Sequence, residues 1–195
     1  MCGLNGILAF DKAYLFHQEI IRMTTILSHR GPDDEGFYDD SDIRLGHRRL
    51  AIIDLSSTGR QPMSNTDGSL WVVLNGEIYN YKVLKNTLES KNYQFKSTSD
   101  TEVLLHGFDE WGTDLFDKLE GMFAFALWSK NDKELFNFCP ACDETGNTIQ
   151  ALMKGLFQEA KQLQKERDDI LRINRSIAKS VSQLKEVVNN IGSLV

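Results

Sequence analysis

No apolar run in this 195-residue chain approaches the length needed to cross a membrane. The start carries no basic region followed by an apolar core, so no secretory leader is expected. Cysteine is scarce, with only Cys2, Cys139 and Cys142. An odd number of thiols without a leader predicts free cysteines in a reducing, cytoplasmic setting and argues against a disulfide framework. Positive charge is in deficit too: 22 Lys and Arg stand against 28 Asp and Glu, a net charge of −6. That balance argues against a nucleic-acid surface as the main function. The four histidines (His17, His29, His47 and His106) lack metal-ligand spacing, and no P-loop of any kind is present. What is there is ordinary for a globular chain, 41% hydrophobic and 26% charged, with room for one domain or a domain plus an appendage.

Residues 1 to about 137 read as an α+β domain. Ile7–Phe10 is a short apolar run that predicts a strand. Phe16, Ile20, Met23 and Leu27 recur at helical spacing. Residues 43–54 predict a strand pair or a bent strand, and Leu70–Leu74 a buried strand ending at Asn75-Gly76. Val83, Leu84, Thr87 and Leu88 predict a short helix. Tyr93 and Phe95 alternate with polar neighbours, as a strand would. Ser99 and Asp100 suit the N-cap of a helix carrying Val103, Leu104, Phe108 and Trp111. Met122–Trp128 reads as an apolar strand, turning at 129–132 into a partner near 134–138.

Cys2 lies directly behind the initiator methionine. If Met1 is removed, one residue carries both a thiol and a free α-amine, a nucleophile with its own base. An α-amine titrates at roughly 7.7–8.0 and a free thiol near 8.5, so neither type of group is far from its useful form at neutral pH. Separate motifs follow in order: His29-Arg30-Gly31-Pro32-Asp33, Gly46 to Leu55, Gln61-Pro62-Met63, Asn75-Gly76-Glu77-Ile78-Tyr79-Asn80, Ser99-Asp100-Thr101-Glu102 and Gly121 to Ala126. With these motifs in this order, residues 1–135 resemble the N-terminal glutaminase domain of glutamine-hydrolysing asparagine synthetases, a class II (N-terminal-nucleophile) glutamine amidotransferase.

The resemblance implies an N-terminal-nucleophile hydrolase αββα sandwich and hydrolysis of L-glutamine to L-glutamate and ammonia. Cys2 would attack the side-chain amide carbon. The Asn75 side chain and the Gly76 N–H would form the oxyanion hole; taken alone, Asn-Gly reads as a hairpin turn. Arg49 would take the glutamine carboxylate, a fit for a guanidinium fork. Glu77 and Asp100 would take its ammonium, with helix capping as the competing role of Asp100. Backbone groups of Leu50, Ala51, Ile52 and Ile53 would line the same pocket. Arg30 to Asp33 reads as a shaping loop, or else as a plain turn at Gly31-Pro32. The glutaminase step needs no cofactor; ATP and Mg would belong to a synthetase domain, which would accept the ammonia as a partner.

Past residue 135 the chain departs from the family. The expected last strands and the Ser-Gly-Gly-x-Asp-Ser loop of the synthetase part are missing, so the sandwich reads as incomplete. Cys139-Pro140-Ala141-Cys142, in a linker over 138–148, is half of a zinc-ribbon pattern. Cys139 and Cys142 are therefore weak metal candidates, with two free thiols in a turn as the default reading. Over 149–195 the apolar residues fall on a four-three repeat. Ile149, Leu156, Leu163, Ile170, Ile177, Leu184 and Ile191 sit at d; Met153, Ala160, Arg167, Asn174, Val181, Val188 and Val195 sit at a. This predicts a long coiled-coil helix and a homo-oligomer of open stoichiometry; the competing reading is a single helix packed on its own domain. The alternative for the whole chain is a non-catalytic coiled-coil adaptor or a truncated gene product.

Overall fold

The computed structural model describes residues 2–8, 17–139, 169–170, 172–177 and 179. The chain divides into two units, Met1–Ala151 and Leu152–Val195. In the first unit the described elements run β1 (Gly3–Leu8), α1 (His17–Ile26), β2 (Asp34–Asp39), β3 (Ile43–Arg49), β4 (Met63–Ser64) and β5 (Leu70–Ile78). They continue with α2 (Tyr81–Ser90), α3 (Thr101–Trp111), β6 (Gly121–Ser129) and β7 (Glu134–Phe138), with short 3-10 turns between. Two antiparallel sheets result, ordered β1-β3-β2 and β4-β5-β6-β7.

The period-two pattern of β5 and β6 explains how the layers stack. Leu70, Val72 and Leu74 of β5, with Phe123, Phe125 and Leu127 of β6, face Leu104, Leu105 and Leu115 of the helical side. The alternate residues, Val73, Ala126 and Trp128, face Ile43 and Leu45 of the first sheet. Both faces of this strand pair are therefore buried, and each fully buried Leu side chain contributes about 2 kcal/mol. The inter-sheet seam also carries a ring stack, Tyr38 on Trp71 at 4.0 Å, and a hydrogen bond from Trp128 Nε1 to Asp40 at 3.1 Å. On the far side of the first sheet, α1 buries Ile20 and Thr24, and the Thr24 hydroxyl donates to Asn5 Oδ1 (3.2 Å). The layer order is helix, sheet, sheet, helix.

Several expectations are corrected. β1 starts at Gly3, immediately after Cys2, well before Ile7, because its place is set by pairing with β3 from Gly3↔Arg48 to Leu8↔Ile43. The stretch 43–54 is one strand followed by a loop, not a strand pair; past Arg49 the chain is held by side-chain bonds instead of a ladder. β2 had no sequence signal, since it is a polar edge strand whose only apolar residues are Phe37 and Tyr38. β5 runs on through Asn75-Gly76 to Ile78 because β6 pairs with it along its whole length. Tyr93 and Phe95 form no strand; they pack on α2 and α3, with Phe95 edge-on to His106 at 4.6 Å. Among the described residues β7 is the edge of its sheet.

Cys139 is disulfide-bonded, which corrects the expectation of a free thiol there, since a bonded sulfur cannot be a thiolate ligand. Cys142 lies outside the described residues. No group of three or more metal-ligating side chains occurs among the described residues. In the second unit the described residues are helical, with Ile170, Ile173 and Ile177 more than half exposed; the rest of the predicted coiled coil, including Met153 and Val181, lies outside them. No described helix is long and apolar enough to cross a membrane.

Candidate active site

One pocket, with about 270 Å³ of free space, opens where the start of β1, the loop after β3, the end of β5 and the start of α3 converge. Cys2, Arg49, Leu50, Ile52, Ile53, Gly76, Glu77 and Asp100 all line it. Two expected residues do not. Ala51 gives its N–H to Asp33 Oδ2 at 2.8 Å. Asn75 continues the row of Trp71 and Val73 on the inter-sheet face, and its Oδ1 is buried without a partner.

Cys2 is held by the strand beside it. The Leu50 N–H donates to Cys2 Sγ at 3.3 Å, and the thiol points back at the Leu50 carbonyl at 3.7 Å. The Arg30 Nε donates to the Cys2 carbonyl at 3.1 Å. The segment 30–33 is thus more than a turn. Gly31 lies flat against the Arg48–Arg49 backbone, where a Cβ would come within 2.6 Å of the Arg49 nitrogen, and the Asp33 N–H donates to the Arg49 carbonyl at 3.0 Å.

The Arg49 guanidinium is buried and donates to the carbonyls of Ser56 (2.7 Å) and Asp54. Asp54 organises that loop. Its carboxylate accepts from the Ser56 hydroxyl at 2.6 Å and N–H at 2.8 Å, and from the Thr98 N–H at 2.9 Å. Burial pushes this carboxyl up, but those hydrogen bonds outweigh it and hold it well below the usual carboxylate range. Asp54 stood in the Gly46–Leu55 motif with no role suggested by its sequence neighbours, because its partner Thr98 is 44 residues away.

Asp100 stands at the N-cap of α3, yet its side chain makes no capping bond; Oδ2 accepts from the Ile78 N–H at 2.9 Å. The Ser99 hydroxyl does the local work instead, accepting from the Thr101 N–H at 3.3 Å. Burial raises the Asp100 carboxyl above its ordinary value; the Ile78 bond opposes this and the Glu77 charge adds to it. Two neighbouring carboxylates in one pocket are relieved by a bound cation.

His47, fully buried between the sheets, contacts the Leu74 carbonyl through Nε2 at 3.1 Å, and its Nδ1 has no partner. A carbonyl only accepts, so Nε2 carries a proton, and burial with no partner at Nδ1 disfavours a second one there. Burial lowers its pKa to about 4. The unfolded chain therefore takes up this proton first as the pH falls. Stability contributed by neutral His47 is whole above about 6.5 and is lost towards pH 4, on the order of 3 kcal/mol. Below that, Glu102, also lowered to about 2, loses its share between roughly 4.5 and 2. Burial raises Glu102, and its bonds from His106, Ser97 and Lys96 overcome this. Melting curves from pH 8 to 5 should show the first loss, and His47→Gln, which cannot titrate, should flatten it.

The family profile described as "Glutamine amidotransferase domain" matches residues 1–161. The chain belongs to the glutamine amidotransferase domain family. Among curated proteins this glutamine amidotransferase domain is similar to asparagine synthetase [glutamine-hydrolyzing] 1 of Bacillus subtilis (strain 168), 44% identical over 141 residues, 70% of this chain and 22% of that protein. Asparagine synthetase [glutamine-hydrolyzing] 2 of the same organism is 46% identical, covering 70% of this chain and 18% of its own length. The Arabidopsis thaliana asparagine synthetase [glutamine-hydrolyzing] 2 is 43% identical over 76% of this chain and 25% of its own. The chain thus spans a quarter or less of these relatives' lengths. The solved B. subtilis glutamine phosphoribosylpyrophosphate amidotransferase, complexed with ADP and GMP, aligns at 29% identity over 46% of this chain and 21% of that one, with a TM-score of 0.39.

Proposed function

We propose that this domain is an N-terminal-nucleophile glutaminase that hydrolyses L-glutamine to L-glutamate and ammonia, and that an ATP-dependent synthetase partner consumes the ammonia. The observation that carries the reading is the convergence of Cys2, Arg49, Gly76, Glu77 and Asp100, from four separate segments, on one pocket. After Met1 is removed, the Cys2 α-amine takes the thiol proton and the sulfur adds to the amide carbon. The Gly76 N–H, on the pocket wall, meets the developing oxyanion, and the Asn75 amide joins it only by turning in from the inter-sheet face. The C–N bond breaks, the proton passes to the departing nitrogen, and ammonia leaves a γ-glutamyl thioester. Water then releases glutamate and restores the thiol. Arg49 pairs with the substrate carboxylate, and Glu77 and Asp100 with its ammonium.

The step uses no metal or nucleotide of this domain; ATP and Mg belong to the partner. Incubation of the purified chain with L-glutamine should therefore release glutamate and ammonia in equal amounts without either. No glutamate above buffer would sink the reading, and intact mass showing Met1 retained would remove the amine base from it.

The 149–195 segment, we further propose, self-associates as a coiled coil, supported by the heptad repeat and by the exposure of Ile170 and Ile177, both at d, in the single chain. A monomer at micromolar concentration in sedimentation would reject this.

A further inference from the structure

The inference rests on the glutaminase reading and deepens it. β4 pairs with β5 only through Met63↔Val72 and Ser64↔Trp71. Extending that register places residue 61 opposite Leu74, with Pro62, which has no N–H to give, between. The ladder is completed by a side chain. Gln61, almost fully buried, accepts from the Leu74 N–H through Oε1 at 2.6 Å. Its Nε2 donates to the Thr101 hydroxyl at 3.0 Å, so one amide ties β5 to the first residue of α3. Four residues on, the Ile78 N–H is taken by Asp100 at 2.9 Å. Alternation along a strand puts the N–H groups of residues 74, 76 and 78 on the same edge. The Gly76 N–H therefore lies between two anchored neighbours, on the edge that faces the pocket.

We propose that Gln61 is a positioning residue for the oxyanion hole, fixing the β5 edge at Leu74 so that the Gly76 N–H is held where charge develops on the amide oxygen, and setting that edge against Asp100 through Thr101. Gln61 lines the pocket, but its amide is spent on Leu74 and Thr101, so its effect on turnover runs through them.

The full chain, with Gln61→Met and Thr101→Val, tests this by kcat and KM for glutamine and by hydrogen exchange at the Leu74 amide. A contact that matters in the transition state appears in kcat, so Gln61→Met should lower kcat about 10- to 100-fold with KM changed no more than about threefold. The Leu74 amide should lose its protection. Thr101→Val cuts the Gln61 link on the Asp100 side, together with the Ser99 hydroxyl's bond to Thr101, leaves the Gln61–Leu74 bond, and should raise KM more than it lowers kcat. If Gln61→Met does not fold, Gln61→Glu decides: it keeps an acceptor for Leu74, so protection and kcat should survive together. Wild-type kcat or unchanged Leu74 exchange in Gln61→Met, or lost Leu74 protection in Gln61→Glu, would overturn the proposal. An unsubstituted chain with no Cys2-dependent glutamate release would overturn the glutaminase reading instead, while Leu74 exchange would still decide whether Gln61 holds the strand.

Discussion

Alanine at position 2 is expected to abolish glutamate release, with a rate about 10⁴-fold below that of the unsubstituted chain or at background. The loss is this large because no other group in the pocket can take over the covalent step. The pocket's other ionisable groups are Arg49, Asp54, Glu77, Tyr79 and Asp100. Asp54 is committed to Ser56 and Thr98, and Asp100 to Ile78. The substitution is also structurally mild. Cys2 is half-buried, and its sulfur bonds only to the Leu50 backbone, so Cys2→Ala should leave the melting temperature within a few degrees of the parent. Binding of glutamine should survive, because Arg49, Glu77 and Asp100 are untouched. The discriminating measurement is therefore paired: calorimetric titration of glutamine into Cys2→Ala, and glutamate release by the same protein. Binding without turnover fits the assignment; turnover at the parental rate would remove Cys2 from the mechanism. Acid-quenched parent protein examined by mass should show one γ-glutamyl unit added, and Cys2→Ala none.

The residues expected at the pocket were legible in the sequence because each sits in a short motif, and the pocket collects all of them but Ala51 and Asn75. Strand β6 was legible for a different reason: it reads as an apolar run from Met122 to Trp128, and from Phe125 on it is buried on both faces. What the sequence concealed is what long-range pairing creates. β2 is polar and gains its strand character only from its register with β3. Tyr93 and Phe95 alternate like a strand but find no partner strand, and the rings settle between two helices. Asp54 and Gln61 work through Thr98, Leu74 and Thr101, which lie 13 to 44 residues away, and no local spacing announces such contacts. Asp100 was ambiguous between cap and pocket because both roles use the same carboxylate; the nearby Ser99 hydroxyl, bonding the Thr101 N–H, frees it for Ile78.

Gly76→Ala should be more damaging than the loss of any single buried methyl group. At φ +126° the residue occupies a backbone region that L side chains rarely adopt. There is also no room: a Cβ would overlap the Met122 carbonyl oxygen and lie 2.5 Å from Phe123 Cα and 2.9 Å from Phe123 Cβ. Those atoms belong to β6, whose opposite face is packed against the first sheet, so relief requires β5 and β6 to part at Gly76↔Phe123. Strain and overpacking together are expected to cost about 3 kcal/mol or more. The same displacement moves the Gly76 N–H off the pocket edge, and loss of one oxyanion donor typically lowers kcat about 10²- to 10³-fold. Stability and catalysis should thus fall together, in contrast to Cys2→Ala, where only catalysis falls. Urea titration alongside kcat at a temperature where the variant is still folded separates the two. A Gly76→Ala protein with parental stability would mean that β6 yields at Phe123, and one with parental kcat would take the Gly76 N–H out of the oxyanion hole.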